Sequence, residues 1–260
     1  MRTKTLPPLF SAIVVLALVT LACGAAAPEP TAVPTNTPVP PTATATLVPT
    51  NTPKPTNTPR PTKTPDLAAT QRSEALNAEV QAYYSMGYLT TTDGEFVEYE
   101  DFQADWAQLG WYQWWILDEK ASDFFMSAHF KWSTAWEYND VSGCGFVFGL
   151  QDNNDHYAVF LDKSRILFLN TDQSLGGGYE VGKTKGTGRV KFGNPAEADF
   201  TLIVKEKYAI VLVDHEMVGE YTLSKTKPIE GNLGLTILSG TNRDYGTRCE
   251  MTNLRLWRPK

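Results

Sequence analysis

Trp106, Trp111, Tyr112, Trp114 and Trp115 fall within ten residues, and Trp132, Trp136 and Tyr138 follow. A sugar ring presents an apolar C–H face that stacks on an indole, so two or three exposed aromatics on one surface make a carbohydrate contact. A β-sandwich core competes for the same residues. Strand alternation puts Trp111, Gln113 and Trp115 on one side and Tyr112 and Trp114 on the other, while Trp132 belongs to an apolar face. The ligand-binding candidates are therefore Trp111, Tyr112, Trp114 and Trp136.

The acids and histidines point to no reaction. Glu98, Glu100 and Asp101 cluster ahead of Phe102, with Asp105 next, and read as a solvated acidic face in an early edge or loop. His129 sits on the polar side of its strand, His156 ends a turn, and His215 lies in a hairpin loop beside Glu216. None has a second histidine at metal-ligand spacing, and the sequence has no His-Glu-x-x-His or Gly-x-Ser-x-Gly motif. Asp152 to Asp155 lack the oxygen-ligand spacing of a dedicated calcium loop and suit a turn. Gly176 to Gly178 have no strand and helix around them to form a phosphate cradle. No catalytic residue, metal or cofactor is expected.

These residues are carried by strands. Phe124, Met126, Ala128, Phe130 and Trp132 alternate with Phe125, Ser127, His129, Lys131 and Ser133, a period of two with one apolar face. Cys144-Phe146-Phe148-Leu150 and Tyr157-Val159-Leu161 repeat it, and further runs lie at 166–169, 200–204, 208–213, 233–238 and 249–257. Asp/Asn/Gly/Lys turn clusters separate them. Eight or more short strands without a helical period predict an all-β, antiparallel two-sheet jelly-roll sandwich over 87–260. Ahead of it, Leu76, Val80 and Tyr83 or Tyr84 recur at helical spacing, with Asp66 to cap the start and Gly87 to stop it. This predicts a connecting helix over 66–86 that lies on the domain surface or pairs weakly elsewhere.

From Pro28 to Pro65 the chain repeats Asn-Thr-Pro, Lys-Pro-Thr and similar units, with almost nothing able to join a core. Proline favours extended polyproline II, so this Thr/Pro-rich stretch, within a stalk over 23–65, reads as a disordered spacer up to roughly 120 Å long. Before it, Arg2 and Lys4 precede an apolar run from Leu9 to Ala22, too short to span a bilayer and suited to a signal peptide over 1–22. Val19-Thr20-Leu21-Ala22-Cys23-Gly24 resembles the lipobox of bacterial lipoproteins, although that family prefers Leu where Thr20 stands. The resemblance implies diacylation of Cys23, with an ordinary cleaved signal or an uncleaved anchor as alternatives. The chain would then be exported and held on the outer face of a bacterial membrane by lipid alone.

With Cys23 assigned to lipid, Cys144 and Cys249 form an even pair in an exported chain and are expected to be disulfide-bonded, against the alternative of two buried thiols. The strand, polar turn, strand unit from Gly143 to Tyr157 resembles concanavalin A-like lectin/glucanase jelly rolls. The segments 200–204, 213–219, 231–235 and 251–257 are similar to that superfamily's C-terminal half. Laminin-G-like and 3-keto-disaccharide hydrolase-like domains are nearest in pattern. The laminarinase-type members carry Glu-x-Asp-x-x-Glu on one strand, which is missing here, so a retaining glycosidase is disfavoured. A net charge of −6 without a basic cluster in the globular part excludes nucleic acid. Lys183, Lys185, Arg189 and Lys191 read as a solvated strand edge. Three functions stay open: a tethered, non-catalytic module for extracellular polysaccharide, a structural or protein-contact domain of the envelope, and a glycoside hydrolase-like enzyme. A monomer is expected.

Overall fold

The computed structural model describes residues 67–136, 141–163, 165–187 and 193–260. The stretch expected as a signal peptide, the Thr/Pro tract, Cys23, Tyr138, Arg189 and Lys191 lie outside the described residues. Among the described residues, fourteen strands follow one α-helix. They are β1 Gly94–Glu98, β2 Phe102–Trp106, β3 Trp111–Ala121, β4 Phe124–Thr134, β5 Ser142–Leu150, β6 His156–Asp162 and β7 Arg165–Asp172, then β8 Gly177–Glu180, β9 Lys185–Gly186, β10 Ala196–Lys205, β11 Tyr208–Val213, β12 Glu216–Thr222, β13 Gly231–Ser239 and β14 Thr247–Pro259. Sheet A runs β1-β14-β4-β10-β11-β12, with β2 taking a second stretch of the same β14 edge as β1. Sheet B runs β3-β13-β5-β6-β7-β8, with β9 beside β7. Every pairing between these strands is antiparallel. The Gly176–Gly178 stretch, expected as a loop, enters the sheet: Gly177 and Gly178 pair with Asp172 and Thr171.

The apolar alternation meets between the sheets. Phe124, Met126, Phe130 and Trp132 of β4 face Phe146, Phe148, Tyr157 and Phe168 of sheet B, all fully or nearly fully buried. Phe130 stacks on Phe200 at 4.9 Å and meets Phe146 edge-on at 5.1 Å. Burying each such side chain contributes about 1.5–3 kcal/mol. Cys144 of β5 and Cys249 of β14 form the expected disulfide, with Cα atoms 5.9 Å apart, so a covalent staple joins the two sheets.

The helix α1, Leu67–Ser85, occupies the stretch where Ala, Gln, Glu and Leu replace Pro and Thr. It ends in paired capping bonds, Tyr88 N to Tyr83 O (2.8 Å) and Gly87 N to Tyr84 O (2.9 Å). This is a Schellman closure, which needs a left-handed residue, and Gly87 supplies φ +77°. Val80 and Tyr83 are buried on the outer face of sheet A against Phe125, Ile203, Ile210, Leu212 and Trp257. Tyr84 is exposed. The helix therefore covers part of the outer face of sheet A.

Among the described residues no helix is long and apolar enough to cross a membrane.

Candidate functional site

The outer face of sheet B explains where the aromatics of β3 go. Register places Thr236 opposite both Trp114 and Gly145, and Leu238 opposite both Tyr112 and Gly143. Gly143 and Gly145 leave that part of the face without side chains. A Cβ at Gly145 would sit 2.1 Å from the Val159 carbonyl oxygen, so the close approach of β6 also requires glycine there. Tyr112 and Trp114 pack over this floor. Tyr112 meets Phe160 edge-on at 5.3 Å, and Trp114 lies 4.9 Å from His156. Both are half-buried and help cover Val147, Ala158, Phe160 and Leu238.

A hydrogen-bond chain fixes Tyr112. His156 Nδ1–H donates to the Asn154 carbonyl (2.7 Å), which leaves Nε2 to accept from the Tyr112 hydroxyl (2.7 Å), and the Thr171 hydroxyl donates to Tyr112 (2.8 Å). Burial holds His156 below its ordinary value, with the nearby Lys227 charge adding to it, so the neutral tautomer suits the chain. Burial likewise raises the Tyr112 phenol. Behind this chain Lys227, 6% exposed, donates to the carbonyls of His156 (2.9 Å) and Thr171 (2.6 Å) and to Asn170 Oδ1 (2.6 Å). Its ammonium lies 4.6 Å above the Tyr157 ring, and burial pushes the amine down to about 8. All three of its donors are satisfied, so it closes the end of the core.

Trp111 and Trp136 behave differently. Trp111 opens β3 at 57% exposed, its ring nearly parallel to that of Tyr112 (21°, 6.2 Å between centroids). Trp136 follows β4 at 40% exposed, with the Arg243 guanidinium 3.9 Å over its ring. Both belong to one rim of the sandwich. Trp111 pairs with Ser239, the last residue of β13, and the loop 240–246 that follows returns to Ala135 through Ala135 N donating to Gly246 O (2.8 Å).

Sheet A also carries a groove of about 470 Å³ beside α1, whose Arg72 helps line it. Ser127 and His129 of β4, Asp199 and Thr201 of β10, His215, Asn253 and Arg255 line it. His129 Nδ1 donates to Asp199 Oδ1 (2.9 Å), and His215 Nε2 approaches Asp199 Oδ2 (3.5 Å). Asp214 and His215, both left-handed, form the two-residue turn that carries His215 there. A bulge at Asn253 in β14 opens the other wall. Arg255 is spent on Glu79 of α1 (2.7 Å) and on the Ser127 hydroxyl (2.8 Å). Convergence of His129, Asp199 and His215 was not visible in the sequence, because His129 lies 70 residues from Asp199 and meets it only through the pairing of β4 with β10. Among the described residues no group of three or more His, Cys, Asp or Glu could hold a metal ion.

Asp155 Oδ1 accepts from Gln173 N (2.7 Å), which holds its carboxyl below the usual range, and Asn153 donates to its other oxygen. Glu98 ends β1 and Asp101 precedes β2; both line the groove on sheet A, and Glu98 lies 3.6 Å from Arg72.

No family model and no curated protein matches the chain. Solved structures match at the level of fold. A carbohydrate binding module from Bacillus subtilis is 12% identical over 64% of this chain and 98% of its own, with a TM-score of 0.45. A Bacillus licheniformis β-glucanase is 10% identical over 55% and 69%, with a TM-score of 0.40. A sheep galectin in complex with glycerol is 10% identical over 57% and 98%, with a TM-score of 0.37. These are distant likenesses.

Proposed function

We propose that the chain is a surface-tethered, non-catalytic module that binds extracellular carbohydrate at the rim carrying Trp111 and Trp136. The observation that supports this is the sorting of the aromatics. Trp115 and Trp132 are spent on the core, Tyr112 and Trp114 on the outer face of sheet B, and two indoles are left exposed at one end of the sandwich. Each exposed ring has a polar neighbour: the Tyr112 hydroxyl network beside Trp111, and Arg243 on Trp136. That mixture suits a sugar, which offers an apolar face rimmed by hydroxyls, better than the flat apolar patch of a protein contact. The Cys144–Cys249 disulfide fits an oxidising, extracellular setting. In this reading Cys23 carries the lipid and the Thr/Pro tract is the spacer.

A polysaccharide array probed with the full chain tests the proposal. Binding to at least one polymer is expected, with loss on Trp111→Ala; an array without a positive polymer overturns it. One observation favours a second reading, an enzyme. In the groove on sheet A, Asp199 orients His129 through Nδ1 and leaves Nε2 as a base. Release of reducing ends from a bound polymer, abolished by His129→Ala, would establish that reading in place of the first.

A further inference from the structure

Six arginines fall among the described residues, and five are paired with carboxylates. Arg72 meets Glu98, Arg165 meets Asp162, Arg248 meets Asp105, Arg255 meets Glu79, and Arg258 meets Glu95 and Glu119. Arg243 is the exception. It is exposed, has no carboxylate partner among the described residues, and has its guanidinium carbon over the Trp136 ring, 3.9 Å from the ring centre. We propose that Arg243 on Trp136 is an anion subsite, and that the glycan bound at this rim carries carboxylates, as a polyuronate does. This rests on the carbohydrate reading and names its ligand class.

The loop is built to hold the guanidinium in place. Ser239 Oγ donates to Thr241 O (2.9 Å), Arg243 N donates to Thr241 Oγ1 (3.2 Å), and Gly246 N donates to Arg243 O (2.8 Å). Gly246 has φ +67°, and a Cβ there would lie 2.1 Å from the Trp106 carbonyl oxygen, so the loop is seated against β2. Both ends of the Arg243 segment are thereby tied to strands. Contact with the indole restrains the guanidinium while its N–H groups stay able to donate, and a carboxylate accepts two such bonds side by side. A neutral sugar hydroxyl gains less from this fork. The rim also supplies an exposed indole, Trp111, as a stacking surface for a sugar ring. Asp244 stands next to Arg243 in the chain, and the net charge is −6, so the long-range field does not gather a polyanion. Selection must come from the local contact.

That negative charge makes the test clean, because retention by a polyanion cannot come from bulk attraction. Affinity electrophoresis of the full chain in gels containing polygalacturonate, its methyl ester, a sulfated galactan or a neutral glucan compares one sugar with and without its charge. Polygalacturonate should bind roughly 10-fold or more tightly than the methyl ester, the worth of a charge-assisted hydrogen bond. Arg243→Gln should bring the two to equal affinity without changing the melting temperature, and Arg243→Lys should recover part of the difference, since it restores charge without the fork. Equal retention of ester and acid, or an acid preference that survives Arg243→Gln, overturns the anion subsite and leaves the carbohydrate reading standing. Sulfated galactan retained as strongly as polygalacturonate overturns the carboxylate assignment. Retention by none of the four overturns both.

Discussion

Trp111 and Trp132 carry the same side chain and opposite expectations. Trp132 is 2% exposed between the sheets, so Trp132→Ala should cost about 3–5 kcal/mol in urea unfolding. Trp111→Ala should stay within about 0.5 kcal/mol of the parent while losing glycan affinity, and a large loss of stability there would assign Trp111 to the fold. Lys227 gives a pH signature. Its amine titrates at about 8 when folded and at 10.5 in the unfolded chain. Between these values the unfolded chain holds more protons, so the group's stabilising contribution is complete above 10.5 and is lost as pH falls through about 8. The stability difference between the parent and Lys227→Met should therefore grow from pH 8 to pH 10.5. A flat difference in denaturant titrations would mean that the three carbonyls hold the ammonium as easily as water does.

At the scale of elements, α1 changes the meaning of the domain boundary. The helix is needed to cover Phe125, Trp257 and Ile203 on sheet A, so a fragment beginning at Tyr88 would expose them. Its closure can be tested alone. A Cβ at Gly87 meets nothing within 4 Å, so Gly87→Ala should cost about 1 kcal/mol through φ alone, read as a lower thermal midpoint. No loss at this position would show that Gly87 does not hold the left-handed turn in solution. The same helix covers an apolar part of sheet A beside the polar groove of His129 and Asp199. A narrow stripe of Leu76, Val80 and Tyr83 was enough to foresee contact with a surface, and the stripe itself does not say which surface.

For the whole molecule, the disulfide joins sheet A to sheet B across 105 residues. Closing a loop of that size stabilises by about 4 to 5 kcal/mol in the chain-entropy model, an upper value. Adding reductant, or the double change Cys144→Ala and Cys249→Ala, should shift the unfolding midpoint down accordingly, and an unchanged midpoint would remove the staple from the account of stability. The two sheets also separate the two polar features of the domain. The aromatic rim lies at the end of β3 and β13, and the histidine groove lies on the outer face of sheet A.

The period of two along β4, β5 and β6 pointed by itself to an antiparallel sandwich and to the face of each strand that meets the other sheet, because a pleated strand sends alternate residues to one side; β5 and β6 are buried on both faces, which depends on what covers sheet B. Cysteine count determined the disulfide once one cysteine was set aside. Alternation also put Tyr112 and Trp114 together. It did not say that Gly143 and Gly145, on a strand beyond β13, would give those rings a floor and leave them half-buried. It did not place Arg243 on Trp136 or bring His129 and His215 to one carboxylate. Such contacts depend on strand order and on the course of the loops, which no short window of sequence contains. Tertiary structure therefore decided which aromatics stay exposed at the surface.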